Sequence, residues 1–196
     1  MSFFSLFVLW KAFHKTNSTA MLIGLYHRKI PVDLILFSNT GGEQPHTYDY
    51  LPIMDRWLEE HGLPAITQVV YTDKNGDRLT LEQECLRSGT LPAIAYGYKT
   101  CSLKHKVGPQ DKFCNNYPPC REAWARGERI TKFIGFDVGE QKRRDHAQPI
   151  DDADTKYKKE YPLMDWGWTR EDCVAAILQE GLPLPGKSSC FFCPSM

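Results

Sequence analysis

Continuous apolar runs alternate with segments of helical spacing through the first two thirds of the chain. Phe3 to Trp10 is the first run and predicts a buried strand. Ser18 to Arg28, with Ala20, Leu22, Ile23 and Tyr26 available to pack, predicts a helix that ends before Pro31. The run "VDLILFSN" is short and aliphatic, the pattern of a strand covered on both faces. A glycine turn and a helix from about His46 to His61, stopped by Gly62, come next, and "ITQVVYT" predicts a third strand. Strand, helix, strand, helix, strand implies right-handed crossovers and a parallel sheet with helices on both faces.

Beyond Asp73 the pattern loosens. Asn75-Gly76 marks a turn, "TLEQECLRSG" a short helix, and "KTCSLKHKVGPQDKFC" a cationic segment leading to a helical "REAWARGE". "ITKFIGFDVGE" predicts a further strand that leaves the sheet at Asp137. From Lys142 to Lys159 charge dominates without periodicity, which predicts a surface loop or mobile lid. "TREDCVAAILQEG" predicts a helix with Thr169 as N-cap, Asp172 in a capping box and Gly181 as its stop. The tail "LPLPGKSSCFFCPSM" predicts no regular structure. No repeat or linker divides the chain, so residues 1–196 read as a single α/β domain.

Composition narrows the class. A length of 196 residues suffices for one full α/β domain, and 42% hydrophobic with 24% charged residues is globular rather than disordered. Formal net charge is zero, so nothing global favours nucleic acid or a membrane surface. The first apolar run is far shorter than the roughly 20 residues of a membrane-spanning helix. Lys11, His14 and Lys15 follow it where a signal peptide would carry small residues, so a cytoplasmic chain is expected. Seven cysteines, an odd number, fit metal binding or redox chemistry better than a closed disulfide framework. The Cys190/Cys193 pair can clamp zinc or an iron–sulfur cluster, or act as a redox pair; the neighbouring Pro and Gly favour a metal knuckle. Cys85 reads as buried and inert, Trp57, Trp124, Trp166 and Trp168 as packing residues, and Lys158-Lys159 as a solvated face.

Ligands of open parallel sheets bind beyond the carboxyl ends of the strands. Three such ends carry conspicuous residues: "FHKTNST", "SNTGGE" and "FDVGEQKRR". Thr16, Asn17, Ser18 and Thr19 offer a helix N-terminus to phosphate, although the loop before them has no glycine. Together with "CSLKHKVGPQDKF" and the stretch from "YPLMDWGWTR" to "CFFCPSM", these segments resemble the phosphoadenosine phosphosulfate (PAPS) reductase family. The likeness is to its phage and bacterial members, within the adenine-nucleotide α-hydrolase (PP-loop) superfamily. It covers most of the chain from Asn17 onward and rests on the order and spacing of the segments.

The resemblance implies a Rossmann-like or flavodoxin-like sheet and a Cys-containing C-terminal segment at 182–196, shortened relative to the family. It also implies an adenine nucleotide (ATP or PAPS) as ligand. The family's phosphate loop falls on Phe13 to Ser18, with Phe13, His14 and Lys15 at glycine positions and Asn17 in place of an aspartate. Nucleotide contacts are then expected from Lys15, Thr16, Asn17, Ser18 and Thr19. Ser38, Asn39, Thr40, Gly41, Gly42 and Glu43 would approach the adenosine part, and Arg143 and Arg144 would bind phosphate or sulfate. An iron–sulfur or zinc centre would be held by Cys101, Cys190 and Cys193, with Cys173 as fourth ligand and Cys114 or Cys120 as other candidates. Unmetallated, Cys190 or Cys193 would be the catalytic thiol, served by a thiol electron donor. The expected reaction is sulfonucleotide reduction or ATP-dependent adenylation with sulfur transfer. The alternatives are a binding module without turnover and a nucleic-acid-modifying sulfur-transfer enzyme that contacts its substrate through Lys99, Lys104 and Lys106.

Overall fold

The computed structural model describes residues 7–9, 16–92, 100–187 and 189–193, the first three by their backbone alone. The expected first strand is described only as β1 (Phe7–Leu9); the rest of that run, and Lys15, lie outside the described residues. β1 joins β2 (Leu34–Ser38), β3 (Ile66–Val69), β4 (Ile130–Phe133) and β5 (Tyr157–Glu160) in an all-parallel sheet of order β3-β2-β1-β4-β5. This order narrows the expectation: β1 lies beside β4, whereas a flavodoxin-type sheet separates them. The helices are α1 (Thr16–His27), α2 (Pro45–Glu60), α3 (Leu81–Ser88), α4 (Thr100–Ser102), α5 (Gly108–Asn116), α6 (Pro118–Ala125), α7 (Gln141–Asp152), α8 (Pro162–Asp165) and α9 (Arg170–Gln179). A π turn, Leu103–Val107, joins α4 to α5, and a 3-10 turn, Val138–Glu140, precedes α7.

Side chains of a strand point alternately to the two faces, and here each face meets its own helical layer. Ile35 and Phe133 pack with Met21, Leu22, Leu25, Met54, Leu58 and Ile177 of α1, α2 and α9. Leu34, Leu36 and Ile130 pack on the other side with Cys114, Cys120 and Ala123 of α5 and α6. Each such Leu, Ile, Phe or Met side chain contributes about 1.5–3 kcal/mol by leaving water. α1 is buried from Thr16 through Leu25, as expected of a helix enclosed on all sides rather than laid on a surface. Gly24 makes this possible, because a Cβ there would lie 2.2 Å from Trp166 Cζ3. Four of the five tryptophans pack as expected, Trp57, Trp166 and Trp168 with the first cluster and Trp124 with the second.

The capping signals hold. Thr169 and Asp172 form a capping box on α9, Thr80 and Gln83 form another on α3, and Gly181 takes the left-handed conformation after α9. The segment expected as a loop or lid, Lys142 to Lys159, is instead mostly α7 and β5. Its periodicity is missing because α7 buries no residue; it is held by local pairs such as Gln141 to Asp145 and Gln148 to Asp152, each 2.7 Å and four residues apart. β5 is an edge strand that buries Tyr157 and puts Lys158 outward. Lys159 is not simply solvated, since its Nζ lies 2.6 Å from Asp151. Cys85 is half-buried rather than enclosed.

Candidate functional site

The strand order reverses between β1 and β4, and the crevice beyond their carboxyl ends is where doubly wound sheets bind ligands. The first turn of α1 sits in that crevice against the loop after β4. Gly135 packs against it: a Cβ built there would lie 3.4 Å from the Ser18 backbone nitrogen. Asn17 then ties three elements together. Its Nδ2 donates to Asp137 Oδ2 at 2.9 Å and to Glu140 Oε2 at 3.2 Å, while its Oδ1 accepts from Arg170 Nη1 at 2.7 Å. Asp137 also caps the 3-10 turn by accepting from the Gly139 amide. Arg143 pairs with Glu140 and stacks on Phe136 at 4.4 Å, and Arg144 lies over Tyr161 at 5.4 Å.

The first turn of α1 thus meets two carboxylates and the Arg170 guanidinium, with Arg143 paired to one of those carboxylates. Thr16, Asn17, Ser18 and Thr19 are all buried, none more than 6% exposed. Beside the arginines, a cavity of about 590 Å3 opens on the α5 face, with Phe136, Tyr161 and Lys132 in its wall. Burial pulls the Lys132 ammonium down to about 8, against the opposing pull of Asp111. Its Nζ lies 3.1 Å from the Tyr157 ring centre and 3.5 Å from Asp111. Sequence reasoning missed Glu140, Arg170 and Lys132. Arg170 was legible only as the first residue of a capped helix, and Lys132 only as a strand position.

The second strand end is a closed corner. Asn39 Oδ1 accepts from the Gly41 amide at 2.9 Å and from Tyr48 Oη at 3.1 Å, and Gly41 adopts φ 73°. Ser38, Thr40, Gly42 and Glu43 are buried, which leaves Asn39 and Gly41 partly accessible. The Glu43 carboxylate turns inward, with Lys106 Nζ 2.6 Å and Thr40 Oγ1 3.2 Å from its Oε1. The C-terminal tail forms the lid of this corner: Phe191 N donates to Gly42 O at 2.9 Å, and Phe192 fills the space over Gly42 that a Cβ would take. Lys106 Nζ is therefore engaged by Glu43, and Lys104 Nζ by Glu84. Lys99 lies outside the described residues.

The cysteines fall into separate places. Cys190 and Cys193 share a tight turn in which Cys193 N donates to Cys190 O at 2.9 Å. Cys190 Sγ lies 3.7 Å from Thr40 Oγ1 and 3.9 Å from Glu43 Oε1; burial and then the Glu43 charge push its thiol up. Cys101 lines a different cavity, next to Cys85. Cys173 is enclosed in the core between α1 and α9, and burial followed by Asp137 pushes its thiol up to about 12. Cys114 and Cys120 are buried together on the opposite face of the sheet. Among the described residues no group of three or more His, Cys, Asp or Glu side chains is placed to hold a metal ion, so the four-cysteine centre is not assembled in this arrangement. The C-x-x-C turn by itself supplies two sulfurs, short of the four donors of a closed zinc or cluster site.

No family model matches the chain, and no curated protein matches it. Among solved structures it is similar to the U34-tRNA thiolase NcsA from Methanococcus maripaludis, a structure with its 4Fe-4S cluster. The TM-score is 0.50 at 14% identity, over 96% of this chain and 61% of that one. The likeness is one of fold. The chain thus spans less than two thirds of the length of the protein whose architecture it shares. Among the described residues no helix is long and apolar enough to cross a membrane.

Proposed function

We propose that the protein binds an adenine nucleotide in the crevice between β1 and β4 and uses it in PP-loop-type group transfer. The observation that carries this reading is the Asn17 node. It sets the α1 N-terminus, the Asp137 loop and Arg170 around one space, with Arg143 and Arg144 at its edge. Amides of a helix N-terminus and guanidinium groups are the donors that phosphate oxygens accept from. In an adenylation step the same groups would stabilise charge growing on the α-phosphate oxygens. The resemblance of the sequence segments to PAPS reductases adds sulfonucleotides to the candidate ligands.

The reading does not route any step through a metal or cluster, because the described cysteines do not converge. Calorimetry with ATP, AMP and PAPS tests it, with Arg143→Ala and Arg170→Ala as variants. Binding in the micromolar range, weakened about 10- to 100-fold by loss of a charged hydrogen bond, is expected. Absence of heat for all three nucleotides at millimolar concentration would sink the proposal.

A second reading is favoured by one observation, the shared fold with a tRNA thiolase. In it the activated acceptor is a nucleic acid and the transferred atom is sulfur. Lys104 and Lys106 are poor candidates for the contact, since each is engaged by a glutamate. RNA binding whose affinity falls steeply with salt would support this reading, and salt-independent or absent binding would remove it.

A further inference from the structure

A second cavity, of about 220 Å3, lies apart from the nucleotide crevice, between α3 and the helical run that starts at Thr100. Two thiols line it, Cys85 of α3 and Cys101 of α4. Both are half-buried, and burial, then the Glu84 charge, then Cys101 push the Cys85 thiol up. His105 lines the same space with its side chain 1% exposed. Its Nε2 meets the Glu84 carboxylate, while its Nδ1 is buried with no hydrogen-bond partner among the described residues. A buried ring nitrogen left unsatisfied in a cavity with two thiols points to something that enters and meets it, because an orphaned polar atom is costly. The Ser88 and Thr90 hydroxyls, bonded to each other at 2.9 Å, make the rim polar.

We propose that Cys85 and Cys101 are a redox dithiol whose oxidant is a low-molecular-weight disulfide taken into this cavity. In the first step one cysteine sulfur attacks a sulfur of the small disulfide. A protein–ligand S–S bond forms, the ligand's own S–S bond breaks, and the departing half leaves as a thiol with the proton given up by the attacking cysteine. In the second step the other cysteine attacks the first cysteine's sulfur and expels the remaining half as a second thiol, with the second proton. Two cysteine thiols are oxidised to one intramolecular disulfide, and the small disulfide is reduced to two thiols. The bond ties α3 to the start of α4 and withdraws Cys101 from any other thiolate role. The pair is separate from Cys190 and Cys193, which lie in the corner closed by Glu43 and Lys106. The inference is independent of nucleotide binding.

The experiment uses the full chain and oxidised glutathione as the probe. Remaining thiols are alkylated and cross-linked peptides are mapped by mass spectrometry. A Cys85–Cys101 peptide pair is expected in the wild type and in a C190S/C193S variant. Glutathione is expected to stay on Cys101 in C85S and on Cys85 in C101S, because the second step is then blocked. If both cysteines remain alkylatable under conditions that oxidise Cys190 and Cys193, the proposal is overturned. It is equally overturned if glutathione accumulates on the wild type as much as on the single variants. The wild-type map stands whether or not either variant folds.

Discussion

Asn17 Nδ2 donates to Asp137 Oδ2 at 2.9 Å across 120 residues of chain, and this bond joins the first turn of α1 to the loop after β4 at the reversal of strand order. Everything else in the crevice is positioned around it. Arg170 reaches the same amide from α9, and Glu140 reaches it from the turn that starts α7.

Asn17→Ala removes a nearly buried amide with three charged partners. Leaving charged groups without their partner costs about 1–3 kcal/mol, so urea unfolding should show a loss near the upper end of that range. Nucleotide affinity should fall with it in calorimetry. Asn17→Asp would put a third carboxylate beside Asp137 and Glu140 and is expected to destabilise more than alanine.

Gly24→Ala sets two effects against each other. Alanine is better than glycine inside a helix by about 1 kcal/mol. The new methyl, however, would meet Trp166 Cζ3 at 2.2 Å, and overpacking a core costs about 1–3 kcal/mol. Trp166 also carries the Arg28 guanidinium 4.1 Å above its ring. A net loss of about 1 kcal/mol in urea is expected, with a shift in tryptophan fluorescence; a gain in stability would show that Trp166 yields freely.

Lys132→Met should stabilise the protein at neutral pH. Burial depresses the folded-state ammonium from 10.5 to about 8, so below about pH 8 the charge is carried in both states and burying it is a standing penalty. Between about pH 8 and 10.5 the unfolded chain binds the proton that the folded one has lost, and stability contributed by this group rises with pH. The variant should be more stable at pH 7, because methionine fills the buried site without a charge and Asp111, 41% exposed, keeps its access to water. It should also lose that alkaline rise, as read from unfolding curves taken from pH 7 to 10.

Gly42→Ala tests the docking of the tail. The added carbon would lie 2.5 Å from Phe192 Cε1, so the Phe192 ring must move off the second strand end. Cys190, 8% exposed in the docked state, should then react with an alkylating reagent about tenfold faster or more, corresponding to roughly 1.4 kcal/mol less resistance to local opening. An unchanged rate would mean that the strand-like pairing of Glu43 with Cys190 holds the tail without Phe192.

How much of this was legible depends on where the information sits. Short-range signals read true: "LILFS" as a strand covered on both faces, the Thr169/Asp172 capping box, the Asn75-Gly76 turn. The failure was Lys142 to Lys159, where α7 buries no residue fully and turns mainly Arg144, Ala147 and Asp151 toward the protein, so that it leaves no apolar trace. Glu43 was expected at the nucleotide, but the structure turns it inward to Lys106, a partner 63 positions away that no local pattern names.

The sequence by itself determined the class of fold, the alternation of helix and parallel strand, and the strand ends on which polar chemistry would gather, because hydrophobic period and capping are local properties. Only the tertiary structure decided which of those ends face one another. It set β1 beside β4, brought Asn17 to Asp137 and Arg170, closed the second strand end under the tail, and distributed the cysteines among four regions of the molecule. The reason is physical: strand order and side-chain convergence follow from which faces can be buried together, and that is a property of the whole core rather than of any segment.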